Sequence, residues 1–353
     1  MAINSYGSGN SNPTNSYAVG KLLRSADAVE CIDRFVHTIP RHAGVLSPIV
    51  HTIPVPKNKS ESVTMSRTVT PDPNVTEVTE GVNPTARALT YEQVTKVFEE
   101  FAEVFATTSR QAELGEFAVL MDSKDRMVDL LKRTREKNAW YEFRAGTSRL
   151  LNSSAHTNRN QVNGALSLGR LRVAVRTLQN NRAMVIREMT KGSININTTP
   201  VEPAYISLSH TDTQADIRAI SGFTVAPRVG GLKDGIPQLF GYVENICFIT
   251  SPEFEPFYGE GAAVGVTGMR SQGGVNVDVY PYLVFGKEAL GKCSLAGTEG
   301  GEGAVEMNVL DKADKSDPTN QRRLVSCRWW DAPVILNNNW LVRIECGVTE
   351  NPA

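Results

Sequence analysis

The sequence predicts an α+β chain dominated by short strands, with one long helix and with an arm and a ribbon too thin in apolar surface to stand alone. Three stretches carry that expectation. From Trp340 onward the alternation is strict, with Trp340, Val342, Ile344, Cys346 and Val348 on one side and Arg343 and Glu345 on the other. Period two is the mark of a half-buried strand. Val63, Met65 and Val69 alternate with a row of serines and threonines. Leu114, Phe117, Ala118, Met121, Val128 and Leu131 instead recur at helical spacing.

Taken in order, residues 1–17 are mostly Asn, Ser, Gly, Tyr and Pro. They bury too little to offset the entropy of ordering, so a disordered tail is expected. Residues 18–48 add a short helical pattern (Val19, Leu22, Leu23) and read as an arm lying on a neighbour. The threonine-rich strand that follows ends at Pro71-Asp72-Pro73-Asn74, a strong turn signal. A return run through Val75, Val78, Val82 and Leu89 would complete a long hairpin over 49–92. An isolated two-stranded ribbon is marginal in water, so it must lie on something else.

Residues 93–106 satisfy two patterns. Val94, Val97, Phe98, Phe101, Val104 and Phe105 fit a helix, while Thr95, Val97, Phe101 and Phe105 share a strand face. The first half is read as strand and the second is left open. The long helix follows, with Asp122, Lys124, Arg126, Lys132 and Glu136 off its apolar stripe. A second helix is predicted through Leu168, Leu171, Val175 and Leu178, flanked by Arg170, Arg172 and Arg176. Residues 192–300 are rich in Gly, Pro, Thr, Val and Ile and read as short strands and loops, closing on the acidic, flexible Gly297–Gly303. At the end, Asn337-Asn338-Asn339 supplies a turn and Pro333 limits the preceding strand to an edge or a bulge. A closing β-hairpin with Trp340, Val342 and Ile344 as core anchors is the expectation.

At 353 residues with 41% hydrophobic and 21% charged residues, the chain is ordinary globular protein, long enough for one large or two modest domains. A net charge of −1 lacks the basic excess of a protein that neutralises phosphates along its whole surface. Five scattered cysteines without a Cys-x-x-Cys pair argue against a zinc site or a secreted disulfide framework. Neither an apolar run of membrane-spanning length nor a secretory leader pattern is present, so no membrane partner is expected.

Candidate chemistry is thin. Gly286–Cys293 (GKEALGKC) matches the phosphate-binding loop at every position but the last, where a magnesium-ligating hydroxyl is replaced by Cys293. A nucleotide-dependent enzyme built on that loop is the rival reading. Gly259, Gly261, Gly265 and Gly268 have the wrong spacing for a dinucleotide fingerprint. The histidines show no metal-ligand register. Ser207, His210 and Asp212 hold triad residue types without a nucleophile elbow, and Asp212 and Asp216 suit turn or N-cap roles. Arg170, Arg172, Arg176, Arg182 and Arg187 suit carboxylate pairing between subunits better than DNA. No catalytic residue, cofactor or metal is expected.

The order Asp317-Pro318-Thr319-Asn320-Gln321-Arg322, an aromatic stretch, Ala332, Ile335-Leu336-Asn337, Trp340 and Val342–Glu345 resembles the end of tailed-phage major capsid proteins, nearest the Enquatrovirus-like podovirus branch. Thr79–Thr85, Gly241–Glu244 before Cys247–Ile249, and Val277–Pro281 before Phe285–Lys287 agree in order, so the likeness spans roughly residues 50–348. The resemblance implies the Hong Kong 97 fold. It divides the chain into an N-terminal tail and arm (1–48), an extended loop (49–92), a peripheral domain with a spine helix (93–163), an axial domain (164–316) and a return to the peripheral domain (317–353). It implies hexamers and pentamers in an icosahedral head, assembled in the host cytoplasm around double-stranded DNA. Portal, scaffolding and decoration proteins are the further partners implied; a minor head or decoration protein is the alternative within the same setting. Val63, Met65 and Val69 with Arg322 and Arg323 are the expected inter-subunit contacts. Some capsids of this fold crosslink a loop lysine to a neighbour's asparagine; Lys57 or Lys59 and Asn337–Asn339 are the residues in those places, and no crosslink is expected here.

Overall fold

The computed structural model describes residues 44–46, 49–56, 60–69, 86–109, 119–186, 204–225, 239–265, 268–295, 305–310, 317–319 and 321–351, with a few single positions between 71 and 83. The expectations for residues 18–43 of the N-terminal arm, the apolar residues Val75, Val78 and Val82 of the return run, the first turns of the long helix and Gly297–Gly303 lie outside them. At the end of the arm, Val45 and Leu46 are buried in this chain's own core with Trp140 and Phe143 rather than left for a neighbour. The described residues form two compact units: a smaller one from 102–132 and 305–328, and a larger one from 44–101, 133–304 and 329–353.

The larger unit is built on a seven-stranded sheet. Its strands are β5 (Arg149–Leu151), β6 (Tyr205–His210), β7 (Phe223–Val225), β8 (Leu239–Val243), β9 (Ile246–Ser251), β10 (Tyr280–Phe285) and β14 (Leu341–Cys346), in the order β5-β14-β10-β6-β9-β8-β7. β9, β10 and β14 are buried at every position, as central strands covered on both faces must be. Alternation sorts their side chains between two cores. Tyr282, Val284, Val342 and Ile344 face Leu171, Ala174 and Leu178 of helix α2 (Leu168–Asn180). Leu283, Phe285 and Leu341 face Trp140 and Phe143, near the end of the long helix α1 (Val119–Phe143). Each such side chain withdrawn from water contributes about 1.5–3 kcal/mol before ordering costs.

A second sheet region of this unit lays β1 (His51–Val55) parallel on β11 (Leu290–Leu295), and β11 antiparallel on the far half of β13 (Arg322–Ile335). A two-stranded ribbon pairs β2 (Ser62–Thr68) with β3 (Tyr91–Val97) over seven residues. In the smaller unit, β4 (Glu99–Thr108) continues alongside the near half of β13, where Ser109 N–H donates to Gln321 O at 2.9 Å. Arg328 reaches Glu306 on β12 (Val305–Leu310) at 2.6 Å.

Several expectations are corrected. The closing strands do not pair with each other: β13 joins β11, whereas β14 crosses to β10 and β5. A short 3-10 turn, Asn338–Trp340, redirects the chain between them, so the predicted hairpin is a change of sheet. Trp340 belongs to that turn rather than to the strand and is half-buried. β13 runs through Pro333, which stands opposite Lys292 in an unbroken register with β11, so there is no bulge at the proline. Residues 93–106 are strand throughout, apart from Phe98 between β3 and β4. The ribbon's returning strand is therefore 91–97, past the predicted limit at 92. On α1 the buried positions are Met127, Leu131, Arg135, Glu136, Ala139, Trp140 and Phe143. Glu136, expected to face outward, is buried and accepts the Val45 N–H at 2.9 Å.

Candidate assembly surfaces

The ribbon has two chemically different faces because its register is fixed by Met65 opposite Val94 and Thr64 opposite Thr95. Val63, Met65 and Val94 turn inward, half-buried, against Phe98, Cys293, Ala332 and Val334. Met65 Sδ lies 4.0 Å from Cys293 Sγ, and burial pushes the Cys293 thiol pKa up. Lys96 ties the ribbon's root to Glu142 on α1 at 3.0 Å. Part of the surface that the sequence left to a partner is thus the chain's own. Ser62, Thr64, Ser66, Thr68, Tyr91, Gln93 and Thr95 face outward and are exposed, with the Thr64 and Thr95 hydroxyls 3.0 Å apart. Between the ribbon and the Asn337–Trp340 turn lies a cleft of about 760 Å3 that brings together Met65, Val69 and Trp340.

The other predicted contact residues lie on β13. Arg322 is exposed and Arg323 half-buried. The backbone N–H groups of Gln321 and Arg322, the latter at 2.7 Å, hold the Asp317 carboxyl below the usual range. The opening aspartate of the Asp-Pro-x-Asn-Gln-Arg motif is therefore a turn clamp at the head of β13. The core anchors separate: Val342 and Ile344 are fully buried, while Trp340 packs at the margin of both cores and donates its indole N–H to Asn181 O at 3.0 Å.

Sequence reasoning missed the charged network on β14. Arg343 and Glu345 are buried, Glu345 completely. Arg159 clasps Glu345 through Nε and Nη2, both at 2.8 Å, and Arg343 Nε lies 2.8 Å from the same carboxylate. Charged residues alternating with core residues read as a solvent face; the covering segment around Arg159 is invisible to a period-two pattern.

The phosphate-loop-like segment fails on geometry. Gly286 leaves β10 and the chain re-enters a strand at Leu290, so the helix whose N-terminus would face phosphate is absent from this segment. The Lys287 and Ala289 N–H groups donate to Met184 O at 2.8 Å and Gly286 O at 3.4 Å. Around His210, Asp212 accepts Tyr280 O–H at 2.9 Å and pairs with Arg270 at 2.6 Å. His210 Nδ1 accepts the Asp212 N–H at 3.1 Å, and burial lowers the imidazole pKa despite the neighbouring carboxylate. Nδ1 as acceptor agrees with the neutral ring. Asp216 accepts the Thr349 N–H at 2.9 Å. Arg172 pairs with Glu244 of the same chain at 2.9 Å; Arg187 lies outside the described residues.

Among the described residues no cluster of three metal-ligating side chains occurs, and no helix is long and apolar enough to cross a membrane. No protein-family model and no curated protein matches the chain. Solved structures do. The capsid of Ralstonia phage GP4 aligns with 89% of this chain and 93% of its own at 9% identity and a TM-score of 0.61. The capsid of the cyanophage P-SCSP1u aligns with 88% and 90% at 12% identity and a TM-score of 0.56. The SrpI encapsulin of Synechococcus elongatus PCC 7942 aligns with 90% and 93% at 9% identity and a TM-score of 0.53. The fold is the α+β fold of Hong Kong 97-type capsid subunits.

Proposed function

We propose that this chain is the major capsid protein of a tailed phage on the Enquatrovirus-like podovirus branch, assembling into hexamers and pentamers of an icosahedral head around double-stranded DNA. The observation that carries the reading is the near end-to-end correspondence with phage capsid subunits, over about nine-tenths of both chains. The collinear motifs from residue 50 to 348 support the phage branch over the encapsulin one. The role is structural rather than enzymatic, and the strand–turn–strand geometry at Gly286 supports that. Residues 49–92 act as the extended loop, α1 as the spine helix of the peripheral domain, and β6 to β10 of the seven-stranded sheet as the axial core, with β5 and β14 of the same sheet coming from the peripheral segments 93–163 and 317–353. The ribbon, with Val63, Met65 and Val69 at its inner edge, and Arg322 and Arg323 on β13 meet neighbouring subunits. Single surface pairs contribute little, and stability comes from the many contacts each subunit makes at once. Assembly takes place in the host cytoplasm, with portal, scaffolding and decoration proteins as further partners.

Negative-stain microscopy of the overexpressed protein, alone and with its phage's scaffold, tests the reading. Closed shells or six-membered rings are expected. A monodisperse monomer that binds ATP in a calorimeter under both conditions overturns it.

A further inference from the structure

Four arginines, Arg144, Arg149, Arg159 and Arg343, gather at the β5 edge of the seven-stranded sheet. Arg149 on β5 and Arg343 on β14 are cross-strand partners, and Arg343 donates to the Arg144 carbonyl. The guanidinium carbons of Arg159 and Arg144 lie 3.6 and 4.7 Å from the centre of the Phe257 ring. Two carboxylates form ion pairs with these four cations: Glu345, buried between Arg159 and Arg343, and Glu260, paired with Arg159. The nearby Glu255 pairs with Lys137 and Tyr141 and acts on Arg144 only at longer range, so with Lys137 included five cations face three carboxylates.

Arg144 and Arg149 are left with carbonyl partners. Arg144 Nη1 donates to Glu255 O at 3.2 Å and Arg149 Nη2 to Thr157 O at 2.9 Å. Among the described residues neither has a carboxylate within ion-pair distance. Arg149 is exposed and Arg144 half-buried, its guanidinium carbon also 4.4 Å from the centre of the Tyr141 ring, so Arg149 is the more accessible of the two. The crowding is felt inside it: burial first, with Arg159 and Arg149 adding, lowers the Arg343 pKa below the ordinary arginine value.

We propose that Arg144 and Arg149 form a binding site for the phosphodiester backbone of nucleic acid, with Arg159 and Arg343 reinforcing its positive field from behind. A guanidinium presents a planar fork that matches two phosphate oxygens. A bound phosphate would relieve the unmatched charge that Glu345 and Glu260 leave. Because the chain as a whole carries a net charge of −1, the attraction is local, sequence-independent and salt-sensitive. The identity of the polyanion as packaged DNA rests on the capsid reading; the local chemistry does not.

The test titrates unassembled subunits with a short labelled DNA duplex over a series of salt concentrations. Sedimentation separately scores shell formation by the same proteins. Arg149→Gln and Arg144→Gln are each expected to flatten the dependence of log affinity on log salt by about one unit. Arg172→Gln, remote in sequence and paired with Glu244, should leave it unchanged. An unchanged slope in Arg149→Gln, an equal loss in Arg172→Gln, or no binding by the wild type at low salt overturns the site. Loss of shells with an unaltered DNA slope makes the cluster a subunit contact and also overturns it. DNA binding with the expected slopes in a protein that never forms shells keeps the site and removes the capsid reading instead.

Discussion

Glu345 carries a carboxylate to full burial between the guanidinium groups of Arg159 and Arg343. Removing one partner from such a buried network leaves unmatched charge in a poorly solvated place, which costs about 3–5 kcal/mol. Glu345→Gln should therefore lower stability by that amount in denaturant unfolding of the unassembled subunit. Trp340 is only half-buried, so Trp340→Ala should cost roughly 2–3 kcal/mol, below the range for a fully buried tryptophan. This order reverses the one the alternation suggests, in which Trp340 is the anchor and the charges are surface. His210 adds a pH dependence. Its folded-state pKa is depressed, so between that value and the unfolded one of about 6.5 the unfolded chain binds more protons. The neutral ring's contribution is complete above about pH 6.5 and is lost as pH falls toward the folded pKa. Melting temperatures measured from pH 7.5 downward should fall less steeply in His210→Gln than in the wild type.

At the scale of elements, the ribbon and the β10–β11 connection make opposite demands. Apart from the Lys96–Glu142 ion pair at its root, the ribbon is attached to its own unit by Val63, Met65 and Val94 on one face. Replacing residues 57–80 by a Gly/Ser link should thus leave a soluble subunit that still melts cooperatively at a lower temperature, yet forms no stable heads. Circular dichroism reads the first outcome and lysate sedimentation the second; intact heads, or an aggregating subunit, contradict the expectation. The turn at Gly286 admits no such change. A Cβ there would stand 2.7 Å from the Met184 carbonyl oxygen, so Gly286→Ala must displace backbone and should cost about 2 kcal/mol or more. The same constraint is why glycine stands at this position without any phosphate to cradle.

For the whole molecule, the expected covalent state of a shell is simple. The side chains of Asn337 and Asn338 accept the Asn339 and Thr147 N–H groups at 3.0 and 3.2 Å, and those local bonds explain asparagine at this turn. Lys57 and Lys59 lie outside the described residues. Mature particles boiled in reducing denaturant should run as a single monomer band on a gel, and a ladder of multimers would assign these residues a crosslinking role. The buried cysteines of the described residues, Cys247, Cys293, Cys327 and Cys346, are all free thiols, so none of these four is expected to add a disulfide-linked band without reductant.

What the sequence determined by itself is local. Period two marked β2 and β14, the 3.6 period marked α2 and part of α1, and Asn337–Asn339 marked a turn, because each signal depends only on neighbours along the chain. The collinear motifs carried the fold class, since they sample many elements in order. Pairing was decided in three dimensions. Nothing in Arg322–Ile335 or Leu341–Cys346 says that these strands belong to different sheets; the 3-10 turn at Asn338 and the fit of β14 between β5 and β10 decide it. The ambiguity at 93–106 was settled likewise, by the register of β3 against β2 and of β4 along β13. Arg343, Glu345 and Glu136 looked like surface because a period reports which side a residue faces. Whether that side meets water or another segment depends on contacts from residues such as Val45, Arg159 and Phe257, distant in the chain and brought near only by the fold.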